Sequence, residues 1–217
     1  MQSRIKITGI ISAAANIVFA VMAITAVAWY FNDNGTFNPH EFHVFRYYTT
    51  DSNLLAAAAA VAVAVCELRG VRSKAAAVFK FIGASTVSLT FMTVLCFLGP
   101  ITSYQGVYSD EAFWLHLVCP LGFVMTFVFL DLRGERISRG ALLWSLVPTA
   151  IYGAIYIVMV VILGENGGGW PDFYLFNVGG RWYLTLPIMV AAAAALAALL
   201  RLARNAAAGK KNESTEK

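Results

Sequence analysis

The chain has 217 residues, of which 59% are hydrophobic and 13% are charged, and its mean hydropathy is +0.67. A water-soluble domain of this length cannot bury so much apolar surface, so the composition excludes an ordinary soluble domain and favours lipid as the solvent. The net charge of +4 does not indicate nucleic-acid binding, because no basic stretch is interleaved with aromatic residues.

Six apolar runs are long enough to cross a bilayer, which takes roughly 20 residues. Because a backbone in lipid has to satisfy its own hydrogen bonds, each run is predicted to be a helix. The runs are residues 10–31, 48–68, 75–97, 112–130, 141–163 and 182–200. We therefore predict an all-α polytopic membrane protein, with a single six-helix domain over residues 1–204 and a disordered cytoplasmic tail over residues 205–217.

The first run has some features of a cleavable signal peptide. Arg4 and Lys6 precede it, and residues 26–28 (AVA) resemble a cleavage site. The run is nevertheless rather long for the apolar part of a signal, which is about 7–15 residues. It also ends in aromatic residues 29–31 (WYF), which are typical of a membrane interface. A retained helix is therefore predicted.

Basic residues give the six helices an orientation. Fourteen of the sixteen lysines and arginines lie before the first run, after the sixth, or in and beside the connections that follow the second and fourth runs. Only Arg46 and Arg181 lie in the other connections. Since positively charged connections stay in the cytoplasm, both termini are predicted to be cytoplasmic. The longer connections, over residues 32–45, 98–111 and 164–181, are then predicted to lie on the outer side.

Two polar clusters begin the second and fourth runs, both at this predicted outer face. They are residues 45–53 (FRYYTTDSN) and 113–120 (FWLHLVCP). On a helix, Thr49, Ser52 and Asn53 share one stripe. His116 lies roughly 6 Å below the start of its helix at 1.5 Å per residue, and the same count gives Thr49 a similar depth. The two side chains are therefore able to meet inside the bundle.

A threonine beside a histidine is a minimal nucleophile and base. Imidazole titrates near neutral pH, and a hydroxyl becomes a useful nucleophile when a base lies within hydrogen-bonding distance. Asn53, Ser52 or backbone amides are candidate donors to an oxyanion. Each residue also has a purely structural interpretation, as a satisfied core histidine for His116 and as a threonine bonded to its own helix for Thr49.

Other polar features carry weaker predictions. Residues 40–43 (HEFH) lack the histidine spacing of a zinc helix, and the three cysteines make no ligand pattern, so neither a metal nor a cofactor is expected. Asp131 ends the fourth run and is expected to pair with Arg133 or Arg136. The loop over residues 167–177 (GGGWPDFYLFN) mixes glycines with aromatics, which suits either a cap over the outer face or an interfacial anchor.

These motifs resemble those of the androgen-induced and androgen-dependent membrane protein family and its six-span bacterial relatives. The resemblance rests on residues 47–49 (YYT), on Trp114, His116 and Pro120, and on residues 169–171 (GWP) with the aromatics that follow. Members of that family are described as threonine hydrolases that cleave fatty acid esters of hydroxy fatty acids. The resemblance implies Thr49 as nucleophile and His116 as base, in the plasma membrane of a bacterium.

The predicted function is thus a metal-independent hydrolase of lipid esters, with an outward-facing pocket and with membrane lipids and a lipid ester as its partners. Thr50 is the alternative nucleophile. The other residues expected at the substrate or oxyanion pocket are Tyr48, Thr50, Ser52, Asn53, Trp114, Trp170 and Tyr174. The alternative function is a lipid or small-molecule binding or transport protein that uses the same cavity without chemistry. The sequence leaves the oligomeric state open.

Overall fold

The computed structural model describes residues 7–32, 41–131 and 135–215, with side chains described as far as residue 208. Within these ranges the chain forms helices and connecting loops and contains no strand. Six helices are long and apolar enough to cross a membrane, as the sequence predicted, which supports an integral membrane protein.

The six long helices are numbered α1 to α6 in chain order. They span α1 Ile7–Asn32, α2 Tyr48–Leu68, α3 Lys74–Ile101, α4 Asp110–Leu130, α5 Ala141–Leu163 and α6 Trp182–Ala208. Short helical turns lie in the connections at Glu41–Arg46, Tyr104–Val107, Glu165–Gly167 and Val178–Gly180. The last helix continues to Thr215. The segment from residue 205 that was predicted to be disordered is therefore helical as far as it is described.

Small residues allow α1 to α4 to approach one another closely. A Cβ atom built on Gly83 of α3 would lie 2.8 Å from the Cα atom of Ala56 on α2, which leaves no space for a side chain. Gly122 of α4 makes the same close approach to the ring of Phe19 on α1. The alanine run at residues 56–60 is buried at every position except Ala58. Small residues at such a face let membrane helices pack tightly.

The helix α3 is central, and α5 and α6 lie at the side of the bundle. In α3 56% of the apolar window is buried, compared with 11% in α5 and in α6. The last two helices pack against α3 and against each other. Their remaining faces expose large apolar side chains such as Leu143 and Ile188, a surface that lipid is suited to cover.

The end of the bundle away from the start of α2 contains a buried ionic cluster. The Lys80 ammonium, only 1% exposed, lies 3.6 Å from the Asp131 carboxylate and donates to the side-chain oxygen of Asn16 at 2.6 Å. Asp131 also accepts hydrogen bonds from Ser12 and Asn16 on α1. Among the described residues this carboxylate pairs with Lys80 and not with Arg136, so that expected pairing is wrong. Arg133 lies outside the described residues.

Wide turns occur inside α3, α4 and α5. In each, a backbone N–H bonds to the carbonyl five residues back and passes over the one four residues back, as in a π-helix. The turns are Val94–Leu98 in α3, Trp114–Val118 and Thr126–Leu130 in α4, and Ile157–Leu163 in α5. A turn of this kind leaves one carbonyl without its usual helical partner, and that carbonyl is able to accept a bond from another part of the chain.

Candidate active site

The hydroxyl of Thr49 lies against the imidazole of His116. Thr49 is in the first turn of α2 and is 7% exposed, and its Oγ1 atom is 3.3 Å from Nε2 of His116 on α4. The two helices thus bring together the pair that the sequence placed at equal depth. The separation is slightly longer than an ideal catalytic hydrogen bond, which is usual for a site without substrate. The catalytic roles of the two residues stay a prediction.

The second ring nitrogen of His116 determines which tautomer is present. Nδ1 is 2.6 Å from the carbonyl oxygen of Val107, in the short helix between α3 and α4. A carbonyl only accepts hydrogen bonds, so Nδ1 carries the proton and Nε2 presents its lone pair to Thr49. The Thr49 hydroxyl is therefore the donor in its bond to Nε2. The candidate nucleophile, the base and the carbonyl that orients the base therefore form one chain of hydrogen bonds, which is the arrangement that activates a hydroxyl.

Pro120 explains the local shape of α4 at His116. A proline has no N–H to bond the carbonyl four residues back, which here belongs to His116, and its ring crowds that carbonyl. The preceding turn widens, and the N–H of Cys119 bonds to Trp114 instead of Leu115. The Leu115 carbonyl accepts a hydrogen bond from the Asn53 side chain of α2 at 2.9 Å. This bond fastens α2 to α4 one turn from Thr49.

The hydroxyl of Tyr174 caps the start of α2. The residue before this helix, Tyr47, has no short polar side chain and makes no capping hydrogen bond, so the first N–H groups of the helix need another acceptor. The N–H of Tyr48 donates to the Tyr174 hydroxyl at 2.9 Å, and Tyr174 lines the same hollows as Thr49. Burial of the phenol raises the pKa of Tyr174 to about 12, so it keeps its proton at neutral pH.

Asp172 holds the loop that carries Tyr174. Its carboxylate accepts hydrogen bonds from the N–H groups of Phe176 and Asn177, at 2.8 and 2.7 Å, and from the Tyr156 hydroxyl of α5 at 3.0 Å. The N–H of Tyr174 donates to the same Tyr156 hydroxyl at 3.1 Å. Asp172 was not among the predicted site residues, although an aspartate two residues before a predicted site tyrosine in a glycine-rich loop is typical of a turn.

Two hollows of unequal size meet at Thr49. The larger has a volume of about 350 Å³ and lies among α2, α3, α5 and α6. The smaller, of about 50 Å³, lies among α1, α2 and α4. Thr49 and Tyr174 line both of them, whereas His116 lines only the smaller. The nucleophile candidate is therefore reachable from two sides.

The structure separates the other predicted pocket residues. Tyr48 lines the larger hollow, and its hydroxyl bonds to Thr149 at 2.7 Å. The Thr50 side chain is fully buried and lines neither hollow. The Trp114 ring is 37% exposed and packs edge-on against Phe113, so it too lies outside both hollows.

The predicted oxyanion donors on α2 are occupied elsewhere. Both N–H groups of the Asn53 amide are used, one by the carbonyl of Thr49 at 2.8 Å and the other by Leu115. The Ser52 hydroxyl bonds to the same Thr49 carbonyl and to the Thr90 hydroxyl on α3. Both residues stiffen the helix below Thr49 and do not face the site. Trp170 packs against the rings of Tyr156 and Phe173 and supports the Tyr174 loop from behind.

No cluster of three or more histidine, cysteine, aspartate or glutamate side chains able to hold a metal occurs in the described part of the chain. His40, the first residue of the HEFH segment, lies outside that part. His43 is described and sits in the short helical turn before α2.

Comparison with protein-family models finds no matching family, and comparisons with curated proteins and with solved structures find no match either. The likeness to the androgen-induced and androgen-dependent family therefore rests on the sequence motifs alone.

Proposed function

We propose that this chain is an integral protein of a bacterial plasma membrane, with both termini in the cytoplasm and the Thr49 end of the bundle facing outward. Six membrane-length helices support membrane insertion. The basic residues of the connections support the orientation, because positive charge favours the cytoplasmic side. Lipid then surrounds α5 and α6, whose exposed faces are apolar.

In this membrane setting the protein acts as a metal-independent hydrolase of lipid esters. The observation that carries the proposal is the chain of contacts from the Thr49 hydroxyl to His116 Nε2, and from His116 Nδ1 to the Val107 carbonyl. It supplies an activated hydroxyl at the junction of two hollows. The resemblance to threonine hydrolases favours fatty acid esters of hydroxy fatty acids, or similar lipids, as substrates.

The reaction proceeds in two halves. Oγ1 of Thr49 attacks the ester carbonyl carbon while Nε2 of His116 takes the hydroxyl proton. The tetrahedral intermediate collapses, its bond to the alcohol oxygen breaks, and His116 returns the proton to the departing alkoxide. Water then attacks the acyl-threonine with His116 again as base, which releases the carboxylic acid and restores Thr49.

Tyr174 stabilises the negative charge that develops on the carbonyl oxygen. Its hydroxyl lies beside Thr49, keeps its proton, and is polarised by the N–H of Tyr48 that it accepts. A donor aimed at the position of an oxyanion contributes more in a water-poor site than in solution. Tyr174 takes the role for which Asn53 and Ser52 were candidates, since the donors of those two are already used.

A fluorophosphonate probe tests the nucleophile. The purified protein should be labelled at Thr49, and labelling should be lost in Thr49→Val and in His116→Ala. Thr50→Val is the matched control, because this neighbour is equally buried on the same helix turn but lines neither hollow. It should be labelled like the wild type. Labelling that persists unchanged in Thr49→Val would remove the hydrolase proposal.

The second candidate function is a lipid or small-molecule binding or transport protein. The larger hollow favours it, because that hollow is a preformed apolar site whether or not chemistry follows. Sealed vesicles containing the protein distinguish the two functions. Movement of an intact lipid ester across the membrane, with no acid or alcohol formed, would favour transport.

A further inference from the structure

The two hollows at Thr49 differ in size and in the chemistry of their walls. The larger, of about 350 Å³, is lined mainly by aliphatic and aromatic side chains, among them Leu89, Val94, Leu146, Ile157 and Leu186. No charged residue is among the described residues that line either hollow. The larger hollow therefore suits a neutral hydrocarbon chain and offers nothing to hold a charged headgroup.

The position of His116 assigns the two halves of an ester to the two hollows. The base that returns a proton to the departing alkoxide has to touch that oxygen. His116 lines the smaller hollow and not the larger. The alcohol half of a bound ester therefore points into the smaller hollow, and the acyl half is left with the larger one.

We infer that the larger hollow is an acyl-chain site, and that the substrate is a fatty acyl ester whose alcohol half is recognised only near its ester oxygen. This inference rests on the hydrolase proposal and specifies the substrate. Acyl-chain length governs the reaction rate, because each added methylene contacts apolar side chains that line the hollow of about 350 Å³. Alcohol-chain length has little effect, because the hollow of about 50 Å³ has space for only the first atoms.

Gly153 is a position at which a larger side chain would fill the acyl-chain site. It lies on α5 and lines the larger hollow, and a Cβ atom built on it meets no neighbouring atom within 4 Å. A phenylalanine at this position therefore enters open space without a clash at its Cβ. A glycine inside a helix is also less favourable than a phenylalanine, so the substitution should not harm folding. Ile151 on the same helix is 58% exposed and lines neither hollow, which makes Ile151→Phe the matched control.

Two isomeric esters test the assignment. Butyl decanoate has the long chain on the acyl side, and decyl butyrate has the same atoms with the long chain on the alcohol side. We expect the wild type to hydrolyse butyl decanoate at least about tenfold faster by kcat/KM, since even one methylene in an apolar pocket is worth about tenfold or more. Gly153→Phe should remove this preference by slowing butyl decanoate alone, and Ile151→Phe should retain it. Equal rates for the two esters, a preference for decyl butyrate, or an equal loss on both esters in Gly153→Phe would overturn the inference.

A second measurement separates failure of this inference from failure of the hydrolase proposal. If the wild type hydrolyses neither ester, the proposed activity is wrong, and the acyl-chain site is then tested by photocrosslinking with butyl decanoate that carries a diazirine at the end of its acyl chain. Adducts within residues 146–157 or 186–193 that disappear in Gly153→Phe would support the site. Adducts only elsewhere, or unchanged in that variant, would overturn it.

Discussion

Thr49 and Thr50 are neighbours of the same type, but the helix gives them different surroundings. A step of one residue turns a side chain by about 100° around the helix axis. Thr49 therefore faces His116, whereas the buried hydroxyl of Thr50 has no hydrogen-bond partner among the described residues. The sequence alone placed both at the right depth and left the choice between them open. The direction each one faces depends on how α2 packs, which no local pattern determines.

At the same scale, Tyr174→Phe tests the proposed oxyanion donor. Loss of the hydroxyl should lower kcat for an ester by about 10²- to 10³-fold with little change in KM. It should also lower stability by about 1 kcal/mol, since Tyr48 loses its capping partner. Tyr104→Phe is the control, because it removes a tyrosine hydroxyl that bonds only to the Leu95 carbonyl in its own part of the chain. A Tyr174→Phe protein with wild-type kcat would show that Tyr174 is a cap and nothing more.

At the scale of elements, the wide turns link helices to one another. Each of the three in α3 and α4 leaves a carbonyl to which a side chain outside that turn donates. Leu95 accepts from the Tyr104 hydroxyl at 2.9 Å, Leu115 from the Asn53 amide, and Phe127 from the Arg204 guanidinium at 2.9 Å. The bonds to Leu115 and Phe127 join segments that are distant in sequence. All three cost the helices little because the carbonyls are still satisfied.

Pro120→Ala tests whether the wide turn places His116. Alanine restores an N–H that is able to bond the His116 carbonyl, so the helix should become regular and His116 should turn away from Thr49. Fluorophosphonate labelling should fall by about 10²-fold, the loss that a shift of roughly 1 Å produces, while helix content by circular dichroism stays unchanged. Pro148→Ala in α5 removes a proline from a helix interior away from the pair, and labelling should persist there. Full labelling of Pro120→Ala would mean that the proline does not set the geometry.

The elements and the site differed in how far they could be predicted. Apolar length alone gave the six helices, because lipid leaves a spanning backbone few alternatives. Depth along a helix follows from counting residues, so the meeting of Thr49 and His116 could also be expected. The contact between His116 and the Val107 carbonyl could not be expected, because Val107 lies in a connection, and the path of a connection has no periodic sequence pattern. The hydrogen bond from the Asn53 amide to the Leu115 carbonyl could not be expected from the sequence either, since only the wide turn makes that carbonyl available.

At the scale of the whole molecule, the two ends of the bundle have different polar contents. The end at Thr49 has hydroxyls, an imidazole and two hollows. The other end has the buried pair of Lys80 and Asp131, which ties α3 and α4 to α1. The sequence grouped Lys80 with the basic connection before α3, and did not indicate that its side chain is buried. The ionic cluster fixes α1, α3 and α4 relative to one another at its own end of the bundle.

The last prediction concerns this ionic cluster. Lys80→Met leaves the Asp131 carboxylate buried without its cation, a change that costs about 3–5 kcal/mol in other proteins. The melting temperature of the detergent-solubilised protein should therefore fall by roughly 10 °C. The double variant Lys80→Met with Asp131→Leu removes both charges and should recover most of the loss, because two apolar side chains of similar volume need no partner.

Below its melting temperature each variant should still be labelled at Thr49, since the cluster lies at the far end of the bundle from His116. An unchanged melting temperature in Lys80→Met would show that the pair does not hold the helices together, and a double variant as unstable as the single one would place the cost in lost packing and not in charge.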